Sequence, residues 1–169
     1  MKMESLKDLY LEQLRDIYSA ETQLVEALPK MAEAAKSPDL RSGFNQHLRQ
    51  TREHVTRLER IFSALGEKPE GHTCHGMKGL IKEGEEMIKA KGEPEVIDAG
   101  LIAAAQRVEH YEIAVYGTVR TYAEMLGAEE AVRMLEKTLQ EEEETDDKLT
   151  ELAESHINAE AEMAGVRQR

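Results

Sequence analysis

Apolar side chains recur at spacings of three and four residues along almost the whole chain. In the first helix-like segment they are Leu14, Ile17, Leu24, Leu28 and Met31, a spacing that places them on one face of a helix. Strand signals are nearly absent, because the sequence has two Phe, no Trp and no Asn-Gly or Asp-Gly turn. The pattern therefore predicts an all-α protein.

Breaks in this pattern divide the chain into four long helices and one short one. We expect the long helices at about 6–35, 40–65, 94–126 and 128 or 129 to 159, and a short amphipathic helix near 77–93. Two helical hairpins joined by a connection of about 28 residues are typical of a ferritin-like four-helix bundle with one long crossover. We expect a single domain at 1–160 and a frayed tail at 161–169.

The two hairpins also match each other in sequence. A shift of 91 positions carries Glu21 onto Glu112 and places apolar residues on apolar residues: Ile17 on Val108, Leu24 on Val115, Phe44 on Leu135, Leu58 on Leu149. This register predicts two halves related by a pseudo-twofold axis. The alternative is coincidence, because any two amphipathic hairpins can be slid into partial register.

Polar residues interrupt the inward faces of these helices, and we take six as candidate metal ligands: Glu21, His54, Glu109, Glu112, Glu142 and Asp146. A Glu-x-x-His pair directs both side chains to one helix face. Here His54 lacks the glutamate and Glu142 lacks the histidine, which Asp146 could replace. Carboxylates buried together repel one another unless protons or metal ions neutralise them. The set predicts two divalent ions, iron rather than manganese, with zinc also compatible.

Simpler interpretations exist for individual members of this set. The acidic run at 141–147 is typical of a solvated helix face, Glu109 could pair with Arg107 or His110, and His54 could be a structural core histidine. His47 lies one heptad before His54 and is interpreted as a neighbour of the ligands or as part of a polar layer. The loop GHTCHG at 71–76 offers His72, Cys74 and His75 but lacks a fourth ligand for a zinc-type site.

Charge and cysteine content narrow the partners. The formal net charge is −12, which disfavours nucleic acid and anionic membrane surfaces and favours cations. A single cysteine, Cys74, rules out an intramolecular disulfide, and the charged start of the chain shows no apolar signal region. We therefore expect a cytoplasmic protein.

Several stretches together resemble the YciF-type bacterial stress proteins, a branch of the ferritin-like superfamily. They are YSAETQL, FNQHLRQTREHVTRLERIFSALGEKP, CHGMKGLIKEGEEMI, LIAAAQRVEHYEIAVYGT and LEKTLQEEEETDDKLTELAE. The resemblance implies a ferritin-like bundle, a homodimer, and a di-iron or dimanganese centre related to those of rubrerythrins and manganese catalases. The rubrerythrin Glu-x-x-His spacing is not intact in either half.

Three functional hypotheses follow. The first is a dinuclear metal protein that handles peroxide or O₂, or oxidises ferrous iron, during stress, with Glu112 and either Glu21 or Glu142 as bridging carboxylates. The second is a structural or interaction protein, a helical dimer whose metal site is vestigial or only stabilising. The third, a storage cage, has no feature of the sequence in its favour.

Overall fold

A computed structural model of the chain describes residues 3–166, and all of its regular structure is helical. The helices are α1 (Leu6–Ala34), α2 (Pro38–Leu65), α3 (His75–Lys89), α4 (Pro94–Met125), α5 (Glu129–Leu152) and α6 (Asn158–Val166). The prediction of an all-α protein is confirmed. No helix in this part of the chain is both long enough and apolar enough to cross a bilayer.

The helix boundaries follow from local sequence signals. The Ser37 hydroxyl accepts a hydrogen bond from the Leu40 N–H, and Pro38 occupies the first turn of α2, where its missing N–H costs nothing. Gly127 separates α4 from α5 with a positive φ of 71°, which a glycine adopts without strain. The two turns therefore lie where the sequence predicts them.

Each long helix packs against two other long helices. Helix α1 contacts α2 and α4, and α5 contacts α4 and α2. The short α3, which lies between the two hairpins in sequence, covers α1 and α4 with partly buried apolar residues that include Leu80, Ile81, Met87 and Ile88. The polar positions described below lie on the inward faces of these four long helices.

The C-terminal part of the chain is less regular than the sequence pattern predicts. Helix α5 ends at Leu152, a π-helical turn follows at Ala153–Ile157, and α6 continues to Val166. Ala153 and Ile157 are buried in this turn, so the apolar pattern continues through it. The expected tail at 161–169 is helical as far as Val166, and residues 167–169 lie outside the described part.

A buried carboxylate on α4 fixes the turn between α1 and α2. Asp98, only 4% exposed, accepts hydrogen bonds from the backbone N–H groups of Lys36 at 2.9 Å and Ser37 at 2.7 Å. These groups precede α2 and find no partner within the helix. Asp98 therefore ties the first hairpin to the second.

We predict that Asp98→Ala destabilises the protein by about 2–3 kcal/mol, because it leaves two backbone donors without their charged acceptor. Urea unfolding measures this change. Glu95→Ala, which removes an exposed ion pair with Lys36 (3.0 Å), is the matched control and should cost no more than about 1 kcal/mol. Equal losses in the two variants would contradict the assigned role of Asp98.

Candidate metal centre

Six buried side chains from four helices converge between the two hairpins. Their ligand atoms form two groups, each with all atoms within 4.8 Å of one another. The His47 group contains His47, Glu109, Glu112 and Glu142, and the His54 group contains Glu21, His54 and Glu142. Glu142 belongs to both groups, so its two oxygens lie between them.

Helix periodicity explains why these residues meet. His47 and His54 are seven residues apart on α2 and share a face two turns apart, roughly 10 Å along the axis. Glu109 and Glu112 are three apart on α4 and also share a face. Glu21 on α1 and Glu142 on α5 complete the set. One helix therefore supplies both imidazoles, and the other three supply only carboxylates.

In the His54 group, one ring nitrogen faces two carboxylates. Nδ1 of His54 lies 3.0 Å from Glu142 Oε1 and 3.3 Å from Glu21 Oε1. Neither contact is aligned as a hydrogen bond, and Nδ1 and Glu142 Oε1 remain without a hydrogen-bond partner among the described residues. The ligand atoms of this group therefore lie within 4.8 Å of one another without being paired at Nδ1.

The other ring nitrogen of His54, Nε2, contacts Glu141 on the side away from the ligand group. Nε2 lies 3.0 Å from Glu141 Oε2, and Arg57 binds both Glu141 oxygens, at 2.5 and 3.1 Å. A carboxylate that accepts the Nε2 proton leaves Nδ1 with a free lone pair, the arrangement by which proteins orient metal-binding histidines. Tyr116 similarly donates a hydrogen bond to Glu21 Oε1.

In the His47 group, the imidazole lies between two carboxylates. Nδ1 of His47 is 3.3 Å from Glu109 Oε1 and Nε2 is 3.3 Å from Glu142 Oε2. Glu109 Oε2 and His47 Nε2 have no hydrogen-bond partner among the described residues. This group therefore also has unused ligand capacity.

Glu112 is a buried acid with neither an ion pair nor a hydrogen bond among the described residues. Its side chain is 0% exposed, and neither of its oxygens accepts a hydrogen bond from any described residue. An ionised carboxylate buried in this way costs several kcal/mol. The residue requires either a bound proton or a cation.

The pKa values of the four buried acids shift in different directions: three are raised and that of Glu142 is lowered. Burial, together with the charges of neighbouring carboxylates, raises the pKa of Glu112 well above its usual value. Burial also raises the pKa of Glu109 and of Glu21, although His47 and His54 respectively oppose it. Burial alone would raise the pKa of Glu142 too, but the imidazoles of His54 and His47 lower it to about 2.

For the two histidines, burial lowers the pKa and the neighbouring carboxylates raise it, and the carboxylates dominate. Burial disfavours their charged forms, but Glu109 and Glu142 raise the pKa of His47 to about 9. Glu21 and Glu142 likewise raise the pKa of His54 well above its usual value. Without a metal, the cluster therefore favours charged imidazoles, and burial favours the neutral forms of Glu21, Glu109 and Glu112.

The donor set suits a pair of hard or borderline divalent cations. Four carboxylates and two imidazoles are the number and type of ligands that two Glu residues and two Glu-x-x-His pairs supply in di-iron bundles. Iron, manganese and zinc all accept such mixtures. The buried oxygens of Glu112 and Glu142 that lack partners are where cations would find ligands without breaking hydrogen bonds.

Five of the six sequence-predicted residues lie in these groups: Glu21, His54, Glu109, Glu112 and Glu142. Asp146 belongs to neither group. Its Oδ2 is 3.2 Å from His110 Nε2 and its Oδ1 accepts a hydrogen bond from Gln106 at 3.3 Å. Four residues after Glu142, a side chain has advanced one turn along α5, which places Asp146 beside the outer edge of α4.

Sequence reasoning missed the part that His47 plays. His47 was interpreted as a neighbour of the ligands or as part of a polar layer, whereas its two ring nitrogens approach two of the predicted ligands, Glu109 and Glu142. The available signal was the seven-residue spacing from His54, which keeps both on one face. Glu141 and Arg57 were also missed, because an acidic run does not reveal which of its members turns inward.

His72 and Cys74 of the loop belong to a separate hydrogen-bonded network rather than to a compact ligand set. His72 contacts Glu12 and Asp16, at 3.0 and 2.9 Å. The buried Cys74 thiol contacts the Tyr111 hydroxyl at 2.9 Å and caps α3 by accepting from Met77 N–H. Among residues 3–166, this loop contributes to neither ligand group.

The fold and the cluster place this chain in a general class, the helical proteins with buried carboxylates and imidazoles. Comparison with known families then identifies the family. Residues 5–162 match the family described as a domain of unknown function, DUF892, and the chain belongs to it. It is 44% identical over 163 residues to Protein YciF of Escherichia coli (strain K12), covering 96% of this chain and 98% of that protein.

Solved structures agree with this relationship. The crystal structure of the E. coli stress protein YciF matches with a TM-score of 0.89 at 44% identity, over 92% of this chain and 99% of that one. YcfI from Rhodopseudomonas palustris, a proposed structural protein, matches with a TM-score of 0.85 at 45% identity, over 88% and 95%. The predicted YciF-type family is thus confirmed.

We predict that the metal-free protein loses stability as pH rises from about 6.5 to about 9. The unfolded chain releases the His47 proton near its ordinary pKa of about 6.5, whereas the folded protein retains it up to about 9. The folded state therefore binds more protons in this window, and its stability falls with pH. Urea unfolding in chelator at several pH values measures the slope.

His47→Asn should reduce this slope without abolishing it, because it removes one retained proton while His54, whose pKa is also raised, keeps another. His110→Asn, at a histidine that is 70% exposed, is the control and should keep the wild-type slope. A slope unchanged in His47→Asn would contradict the prediction.

Proposed function

We propose that the protein binds two divalent metal ions, iron in preference to manganese or zinc, between the His47 and His54 groups. The observation that carries this proposal is Glu112, whose buried oxygens lack any hydrogen-bond partner among the described residues. Protons can neutralise some of the acids, but four carboxylates and two imidazoles match the charge and ligand number of two cations.

We further propose that the four long helices form a ferritin-like bundle, with α3 in the crossover. The contacts α1 with α2, α4 with α5, α1 with α4 and α2 with α5 support it, because they close a ring of four helices. The predicted ligands come from all four, as in bundles that hold a metal pair in the core. The homodimer implied by the family resemblance stays a prediction, which sizing chromatography tests.

In this proposal each side chain has a distinct task. Glu142, which belongs to both groups, would help to hold both ions, and His47 and His54 would each contribute to holding one of them. Glu141 fixes the tautomer of His54, and Tyr116 holds one oxygen of Glu21. Bound iron or manganese would supply redox chemistry toward O₂ or peroxide. The buried surroundings keep bulk water away from the cluster and strengthen its electrostatics.

A structural role is the second candidate function. YcfI is described as a proposed structural protein, and the Glu-x-x-His spacing is altered in both halves of this chain. In that case the centre would stabilise the fold without turnover. Metal binding with no reaction of the reduced iron-loaded protein with O₂ or hydrogen peroxide would favour this alternative.

Metal reconstitution tests the proposal directly. We expect two ions per chain by elemental analysis after anaerobic loading with Fe(II), and a higher melting temperature with metal than with chelator, because a ligand that binds only the folded state stabilises it. Absence of stoichiometric metal after loading with iron and with manganese would overturn it.

Glu112→Ala should lower the occupancy to one ion per chain or fewer, since it removes a buried carboxylate from the His47 group. Isothermal titration with Fe(II) or Mn(II) measures the stoichiometry. The matched control on α4 is Glu124→Ala, whose carboxylate is exposed and pairs with Arg120 at 3.7 Å. Full occupancy in Glu112→Ala would remove Glu112 from the proposed ligands.

Glu141→Ala should weaken binding at the His54 half by about 10–100-fold, the usual effect of losing a carboxylate that orients a metal-binding histidine. Titration should show one affinity reduced and the other retained. Glu143→Ala, at an exposed neighbour on α5, is the control. Two unchanged affinities would show that Glu141 serves only its ion pair with Arg57.

A further inference from the structure

The two halves of the cluster differ in what surrounds them. Behind the His54 group, Glu141 and Arg57 cover Nε2 of His54, and the Tyr116 ring lies edge-on to the imidazole at 6.3 Å between centroids. His54 and Tyr116 are both 0% exposed. This half of the cluster is therefore enclosed by side chains that are themselves held by hydrogen bonds.

In the His47 group, the His47 side chain instead forms part of the wall of a small cleft between α2 and α5. Besides His47 itself, the cleft is lined by Gly43, Phe44, Gln50, Thr145, Leu149 and Leu152, among others. About 30 Å³ of it is open to water, and roughly 10–15 Å³ suffices for one water molecule. The cleft therefore has room for a molecule of two or three atoms beside the imidazole.

The side chains that line the cleft favour the passage of small uncharged molecules over hydrated cations. Phe44, Leu149 and Leu152 are apolar, and Gln50 and Thr145 are polar but uncharged. Lys148 is the charged member, and no carboxylate is present among the described lining residues. A hydrated divalent cation would meet a like charge and no ligand to replace its waters. A small uncharged molecule meets neither obstacle.

We propose that the α2–α5 cleft admits small uncharged molecules of the size of dioxygen or hydrogen peroxide to the His47 half of the centre, while the His54 half is closed to them. This inference rests on the proposed metal centre and deepens it, because it makes the two halves unequal. The first contact between an external ligand and the centre then occurs on the side of His47, Glu109 and Glu112.

Two substitutions at the cleft act in opposite directions without touching a proposed ligand. A Cβ at Gly43 would lie 4.0 Å from Leu152 Cδ1, so a methyl group fits but a leucine side chain fills the space. Gly43→Leu should therefore narrow the cleft. Leu152→Ala should widen it, because it shortens the side chain on the opposite wall.

The probe is nitric oxide, a small uncharged ligand whose binding to the Fe(II)-loaded protein is followed by stopped-flow absorbance. Metal content is measured first in each protein. With two ions bound, we expect association on the order of tenfold slower in Gly43→Leu, because a leucine side chain would fill the space that the cleft offers and a close-packed interior leaves little room for a detour. Association should be faster than in the wild type in Leu152→Ala.

Gly84→Leu is the matched control. This substitution fills a different cavity of about 20 Å³ between α1, α3 and α4, which is lined by Leu24, Ile81 and Ala104 among others. It should leave the rate of nitric oxide association unchanged. If Gly43→Leu does not fold, the association rate of nitric oxide in Leu152→Ala alone tests the inference. Unchanged rates in the cleft variants, or equal slowing in Gly84→Leu, would overturn the inference while leaving the metal centre intact. A wild-type protein that binds no metal would overturn both.

Discussion

The structure depends on balancing charge in a dry interior. Glu21, Glu109, Glu112 and Glu142 lie on the buried faces of the helices, and among residues 3–166 their buried cationic partners are His47 and His54. Two protonated imidazoles leave two of four carboxylates uncompensated, so the metal-free protein must hold further protons. Two divalent cations with neutral imidazoles would balance the four carboxylates completely. The apolar faces of α1, α2, α4 and α5 fix how close these groups lie, and so how large the imbalance is.

The 91-residue shift that aligns the two hairpins in sequence places unlike residues opposite each other at the cluster, and threonine is what differs. A shift of 91 residues pairs His47, Thr51 and His54 on α2 with Thr138, Glu142 and Thr145 on α5. All three threonines are buried, and each hydroxyl donates to a backbone carbonyl four residues earlier. They therefore occupy little space and need no further partner. This leaves α2 to supply nitrogen donors and α5 to supply oxygen.

Much of this arrangement could be predicted from sequence, because helix periodicity and boundary residues such as Pro38 and Gly127 act locally. Six ligand candidates followed from the same periodicity, and five of them lie in the cluster, while Asp146 does not. His47 was not among the candidates, because the Glu-x-x-His scheme looks for an imidazole three residues from a carboxylate on one helix, whereas His47 meets carboxylates from two other helices. The hydrogen bond of Glu141 to His54 and the π-helical turn depend on tertiary packing, which the alternation of apolar and polar residues does not encode.

Placing both imidazoles on α2 has a consequence for how the centre would come apart. In an arrangement with one histidine on each of two helices, a local opening of either helix removes nitrogen from one ion only. Here an opening of α2 would withdraw His47 and His54 together and leave a cavity of carboxylates alone. Ions held at the two groups, as proposed above, would then be released together, at a rate governed by the local unfolding free energy of a single helix.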